Sequence, residues 1–311
     1  MHPTQIKTLA RLFAALLIVA SLAHSLPGAV SPVRAAAGDI TRVSVSSSEA
    51  QANSSSRSAD VSADARFVVF HSDASNLVSG DTNGFEDIFL RDRQTGETFR
   101  VSVGAGGAQA NNGSFVPAVS SDGRFTAFNS DATNLVSGDT NGFTDIFVRD
   151  RQAGTTTRVS VGPNGAQAND ISDSRLAISG DGRFVAFHSD ATNLVPGDTN
   201  AVSDVFVHDR QTGVTERISL DSNEVQGNNS AFNPSISADG RFVAFDSGAT
   251  NLVSGDTNAR TDVFVRDRAT GVTIRVTVNS NGVEADRGGG EGSISGDGRY
   301  VAFSSLATNL M

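Results

Sequence analysis

Residues 237–247 read Ser-Ala-Asp-Gly-Arg-Phe-Val-Ala-Phe-Asp-Ser, and close relatives of this phrase recur as ADARFVVF, SDGRFTAF, GDGRFVAF and GDGRYVAF. Their arginines are Arg66, Arg124, Arg183, Arg241 and Arg299, separated by 58, 59, 58 and 58 residues. A second marker, the arginine of TRVSV-like segments, falls at Arg42, Arg100, Arg158, Arg217 and Arg275, always 34 residues after the preceding marker where one exists. The single insertion therefore lies between Arg158 and Arg183. Such regularity means a repeat architecture in which each unit buries its faces against its neighbours.

Within a unit, the Asp-Gly pairs at Asp122, Asp181, Asp239 and Asp297 predict a tight hairpin turn with both residues at positive φ. A short strand such as 234–237 precedes it. The strand that follows, 241–245, is apolar on both faces, as an interior strand between stacked sheets requires. Asp262–Asp267 forms a third strand. After a turn at Gly271, the alternation of Thr273, Arg275 and Thr277 with apolar residues predicts a half-exposed outer strand. No segment beyond residue 37 keeps a helical period. Four strands per unit, about five units of 58–59 residues, give an all-β β-propeller of four-stranded antiparallel blades whose last blade is incomplete.

The phrase S-x-D-G-R-F-V-A-F-x-S, followed by D-[IV]-F-V-x-D and T-x-R-[VI]-S, resembles the TolB-like, WD-type propeller repeat of bacterial envelope proteins. The resemblance runs from Asp39 to the C-terminus and implies the fold more strongly than a function. Asp64-Ala65 departs from the Asp-Gly turn, and the last unit stops after SSLATNLM. The segment 40–45, ITRVSV, is an orphan outer strand, expected to join the last blade and leave an imperfect seam in a five-unit ring. The other reading is a fragment of a longer protein.

Composition narrows the function. The 311 residues include no Cys, no Trp, one Tyr and 19 Phe, with 38% hydrophobic residues and 31 Gly. Disulfides and thiolate metal sites are excluded. With 24 basic against 34 acidic residues the net charge is −10, the wrong sign for a nucleic-acid partner. Lys7 is the only lysine, which excludes a Walker-type phosphate loop. Lys7 and Arg11 precede the apolar run 12–23, and Ala35-Ala36-Ala37 offers a cleavage point, so residues 1–37 read as a signal peptide and 38–311 as the repeat domain. The protein is then secreted or periplasmic, with no membrane span in the mature chain. Losing Lys7, Arg11 and Arg34 leaves 21 basic against 34 acidic residues, a net charge of −13.

Because strand direction alternates, the long loops share one face. The loop between the second and third strands reads NLVSGDTNGFEDIF and three variants. It sets Asp81, Asn83 and Asp87 at a spacing repeated by Asp139, Asn141 and Asp145, by Asp198, Asn200 and Asp204, and by Asp256, Asn258 and Asp262. Oxygen ligands at positions 1, 3 and 7 could converge on a hard cation such as Ca²⁺, though the loop is shorter than an EF-hand and lacks its terminal glutamate. The alternative is structural: Asx-turns within the loop, and an aspartate opening the third strand paired with an arginine of the fourth. Beyond Ca²⁺ no cofactor is indicated.

A second recurring element is Gln51-Ala52-Asn53, with Gln109, Gln167 and Gln226 at the same place and Glu284-Ala285-Asp286 in the last copy. It reads as a staple to the adjacent blade or as amides facing sugar hydroxyls. His71 and His188 share one slot with Asn129, Asp246 and Ser304, which favours a satisfied structural group over a metal site. Catalysis by a propeller needs a unique constellation that breaks the repeat symmetry, and here the symmetry is barely broken: Glu86, Glu97, Glu216, Glu224 and Glu291 are blade-specific, but none recurs with a second acid in a nameable pattern, and no G-x-S-x-G elbow occurs. The expectation is a non-catalytic scaffold offering its long-loop face to a protein, a glycan or a divalent cation. Alternatives are a calcium-stabilised module of a larger envelope or adhesion protein, and a hydrolase. Mass spectrometry of the exported form is expected to place its first residue near Gly38; an N-terminus at Met1 would contradict the cleavage.

Overall fold

The computed structural model describes residues 40–311, so the leader at 1–37 and its cleavage point lie outside the described residues. Four antiparallel sheets of four strands follow one another. They comprise β1 (Ser56–Val61), β2 (Phe67–Ser72), β3 (Asp87–Asp92) and β4 (Glu97–Arg100); then β5 (Ser114–Val119), β6 (Phe125–Ser130), β7 (Asp145–Asp150) and β8 (Thr155–Arg158). Next come β9 (Ser172–Ile178), β10 (Phe184–Ser189), β11 (Asp204–Asp209) and β12 (Val214–Arg217), then β13 (Ala231–Ile236), β14 (Phe242–Ser247), β15 (Asp262–Asp267) and β16 (Val272–Arg275). The fifth sheet holds β17 (Gly290–Ile294) and β18 (Val301–Ser304). In each four-stranded sheet the spatial order follows the chain order. The inner strands β1, β5, β9, β13 and β17 pack successively and line one cavity of about 440 Å³. This is a β-propeller.

In the four-stranded sheets the second and third strands are buried on both faces, and each face has a different job. Phe128 and Phe147, with ring centroids 6.0 Å apart, meet Val69, Ile88 and Leu90 of the preceding blade. Phe187 with Phe206 and Phe245 with Phe264 repeat the pair, at 6.0 and 5.8 Å. Each interior sheet is thus capped on both sides by its neighbours, where close packing makes a lost methylene costly.

The hairpin turn differs from expectation. Gly123 has φ +71°, but Asp122 does not enter the left-handed region. The aspartate instead accepts Ser120 Oγ–H and Arg124 N–H at 2.6 and 2.9 Å, so the turn is organised by the Asp carboxylate and one glycine. Glycine is demanded from outside as well. A Cβ at Gly240 would lie 2.2 Å from Cδ2 of Phe184 in the preceding blade. That Phe184 ring is also flanked by Arg183 of its own blade and Arg268 of the next, at 4.7 and 4.2 Å from its centroid.

One further expectation is corrected, and the half-exposed outer strand is found as expected and its buried face identified. The segment 40–45 does not enter the last sheet. Val45 lies against the outer strand of the first blade, its carbonyl accepting Thr98 Oγ1–H at 2.6 Å, just as Val103 accepts from Thr156 one blade later. It is therefore a blade-to-blade connector, made for the first blade. The outer strand also buries its polar face: Val272 and Ile274 are exposed while Thr273 and Thr277 are buried. Thr273 donates to the Leu220 carbonyl, and Thr277 donates to Asp262 Oδ1 at 2.5 Å, so hydrogen bonds and not apolar area hold this strand.

Every inner strand pairs through a bulge. Ser58, Val116, Asn233 and Glu291 have φ of 47° to 58° there, which bends the strands around the cavity. The variable slot at the end of the second strand caps this bulge in the next blade. Asp246 accepts the N–H groups of Glu291 and Gly292 at 2.8 and 3.2 Å. His71 Nδ1 accepts Val116 N–H at 3.4 Å, and burial together with the Arg57 charge holds its pKa below the ordinary range. His188 Nε2 instead pairs with Asp173 at 3.1 Å.

Gly240→Ala is expected to destabilise the protein by about 2–4 kcal/mol, from the left-handed backbone and the clash with Phe184 combined. Ala65→Gly, at φ 57°, should range from neutral to about 1 kcal/mol stabilising. Urea melts of both variants check this, and equal destabilisation would contradict the role given to the turn.

Candidate functional site

The repeated loop residues come together, and what sits between the carboxylates is a guanidinium. Arg100 Nη1 lies 3.1 Å from Asp81 Oδ1 and 3.1 Å from Asp87 Oδ2. Arg158 stands 3.0 Å from both Asp139 and Asp145, and Arg217 is 3.4 and 3.1 Å from Asp198 and Asp204. All these side chains are buried. The second oxygen of Asp87 accepts Ser102 Oγ–H at 2.5 Å. Taking two carboxylates out of water is tolerable only because each faces the guanidinium at ion-pair distance; Asp139 Oδ1 has that contact and no hydrogen bond.

Burial pushes the pKa of Asp81 up, with the Asp87 charge adding to it, and Asp139 and Asp198 are likewise raised by burial. In the fourth unit Asp256 is pushed up to about 6 by burial, with Asp262 and Glu284 adding to it against the pull of Arg275. Burial also acts to raise Glu284. Hydrogen bonds from Thr257 and Asn258 and the Arg275 charge outweigh it and hold that carboxyl at about 2.

The asparagine of each proposed ligand set does not converge with the two aspartates. Asn83 Oδ1 accepts Phe85 N–H at 3.4 Å in an Asx-turn. Its amide nitrogen donates to Asp87 Oδ2 and to the Ala110 carbonyl, at 3.2 and 3.1 Å. Asn141, Asn200 and Asn258 repeat these bonds. The asparagine therefore fixes the loop tip and ties it to the connection leaving the blade.

The Gln-Ala-Asn element is a strap between consecutive blades. Gln109 Oε1 accepts Thr82 N–H and Arg100 Nη1–H, at 3.1 and 2.8 Å, while its amide nitrogen donates to Gly80 O. Two residues on, Asn111 donates to Thr133 Oγ1 of the following blade and accepts Thr133 N–H, both at 2.9 Å. Asn134 Nδ2 returns a bond to the Gln109 carbonyl at 2.8 Å. Sequence reading names both motifs but does not join them. Their joint function shows only in space, because Gln109 and Thr82 are 27 positions apart.

Four positions escape this framework. The residue two places after each asparagine is Phe85, Phe143, Val202 and Arg260 in turn. Phe85 and Phe143 are 44% and 37% exposed, on loops of adjacent blades at the same end of the strands. The tip varies while its backbone is held by an unvarying asparagine.

No family model matches the chain, and no curated relative matches it. Among solved structures it is similar to TolB from Acinetobacter baumannii, with TM-score 0.44 and 19% identity over 82% of this chain and 56% of that one. A putative TolB from Agrobacterium tumefaciens gives TM-score 0.47 and 17% identity over 79% and 73%. The tricorn protease gives 0.39 and 16% over 65% and 17%. The chain thus spans 56% of the first of these proteins. The propeller assignment stands on the strand order and on the packing of successive blades.

Arg158→Met is expected to cost about 3–5 kcal/mol near neutral pH, because it leaves Asp139 and Asp145 buried without their cation. Asp139, which burial already raises, would then titrate further above its unfolded value, so this deficit is absent below about pH 4 and grows as pH rises through its folded value. Thermal melts from pH 4 to 8 check this; a pH-independent deficit would exclude the buried charges as its cause.

Proposed function

We propose that this chain is an exported, non-catalytic propeller scaffold that docks a protein partner on its long-loop face. The observation that carries this reading is the division of labour in the loops. The repeated polar residues spend their hydrogen bonds on each other and on the next blade, so they are committed to architecture. The tip residues, held in a fixed backbone frame, are free to differ. A constant frame with variable exposed tips is how repeat proteins build extended recognition surfaces. Two exposed phenylalanines on neighbouring blades supply the aromatic anchors on which interfaces concentrate their energy. The non-catalytic reading draws on the same accounting: the buried acids of the loop face are matched to arginines in each of the first three units, and only the fourth sets two carboxyls, Asp256 and Glu284, in different environments. The export reading rests on the N-terminal segment.

The test is a pull-down from cell-envelope fractions using the parent chain and Phe85→Ala/Phe143→Ala. The parent should enrich a protein that the double variant loses by at least about tenfold, the size expected of aromatic anchor residues. A partner held equally by both would move the interface elsewhere. Turnover of a glycoside or peptide, abolished by one carboxylate substitution, would replace the scaffold reading with an enzyme.

A further inference from the structure

The four buried charge clusters serve as controls for one another, and the fourth breaks the pattern. Where the first three units place an amide beside the arginine, Gln109, Gln167 or Gln226, the fourth places the carboxylate of Glu284. The consequence is geometric. Arg275 Nη1 is drawn to 2.5 Å from Glu284 Oε1 and stands off from Asp256 and Asp262 at 3.4 and 3.7 Å. In the other three units the matching arginine keeps the strand-opening aspartate at 3.0–3.1 Å, so the 3.7 Å gap to Asp262 belongs to the fourth unit alone, whereas Asp198 of the third unit shares the 3.4 Å gap of Asp256.

Asp256 bears the result. Its side chain is 1% exposed, yet neither of its oxygens accepts a hydrogen bond. A carboxylate so deeply placed and so poorly partnered is costly unless something else arrives to meet it. One oxygen from each of Asp256, Asp262 and Glu284 lies within 4.8 Å of the other two. That span suits a hard cation bound at about 2.3–2.6 Å from each oxygen. Charge points the same way. With all groups ionised, three carboxylates against one guanidinium leave two negative charges uncompensated, whereas the other units leave one.

We propose that Asp256, Asp262 and Glu284 form a binding site for a single divalent cation of the oxygen-liganded, Ca²⁺-like class, and that the three amide-bearing units do not. Arg275 keeps a partner when the carboxylates turn to the ion, because its Nη2 donates to the Gly255 carbonyl at 3.2 Å. Glu284, at 15% exposure the most accessible of the three, offers the way in. The site is independent of the docking face proposed above, since it uses none of the loop tips.

The experiment is calorimetric titration of the EDTA-stripped chain with CaCl2, alongside melting with and without the ion. One ion per chain is expected, with a Kd on the order of 10⁻⁴–10⁻³ M, as in extracellular calcium modules. Glu284→Gln copies the residue that the other three units carry, so the fold has a precedent for it; it should weaken Ca²⁺ binding at least about tenfold by removing one charged ligand. Gln226→Glu should create a second equivalent. No heat with the parent chain, four equivalent ions, or unchanged binding in Glu284→Gln would each overturn the proposal. A melting shift by Ca²⁺ that persists in Glu284→Gln would do the same.

Discussion

A sheet that is apolar on both faces cannot stand in water, and this constraint organises the molecule. The middle strands of each four-stranded blade present Phe pairs to one side and Val, Ile or Leu to the other, so such a blade needs a neighbour. The apolar contact is nondirectional and would tolerate sliding. Register comes from the polar devices at its two ends. At the hairpin end, Gly240 fits only where the Phe184 ring of the previous blade leaves room for no side chain. At the loop end, the glutamine and asparagine of each connector hold the blades before and after it.

The buried Arg–Asp clusters belong to the same logic. Ion pairs in the interior seldom add net stability over apolar packing, but they penalise misplacement severely. A fourth strand shifted by one position against the third would leave two carboxylates without their guanidinium. Because the cluster recurs, a single substitution such as Gln to Glu can change the chemistry of one copy while the fold around it is preserved. That is how a repeat protein acquires a local site without rebuilding its scaffold. The outer strand shows a related economy: Thr273 and Thr277 face inward to bond the connector and Asp262, and Ile274 is left to solvent.

Much of this was legible in one dimension. The recurrence of Arg66 and its counterparts, the turn glycines and the doubly apolar second strand lead to four-stranded blades. The pairing of a strand-opening aspartate with a fourth-strand arginine was open as one reading of the GDTN loops, with cation binding as the other. Three features were not legible, for reasons of geometry. The placement of residues 40–45 depends on which neighbour offers a threonine hydroxyl to the Val45 carbonyl. The inward face of the outer strand depends on partners 53 or 54 positions away, such as Leu220 for Thr273 and Val161 for Thr215. The role of the slot at His71 and Asp246 depends on a bulge in the following blade.

Sequence by itself determined the unit, its strands and its near-equivalence from copy to copy, because hydrophobic period and turn chemistry act between residues close along the chain. Only the tertiary structure decided what fills the space between the loop carboxylates, which tip residues remain free, and that Asp256 is stranded when its arginine turns to Glu284. Those outcomes are set by distances between groups separated along the chain, from 9 positions for Arg275 and Glu284 to 28 for Asp256 and Glu284, and electrostatic energy follows distance in space, not separation in sequence.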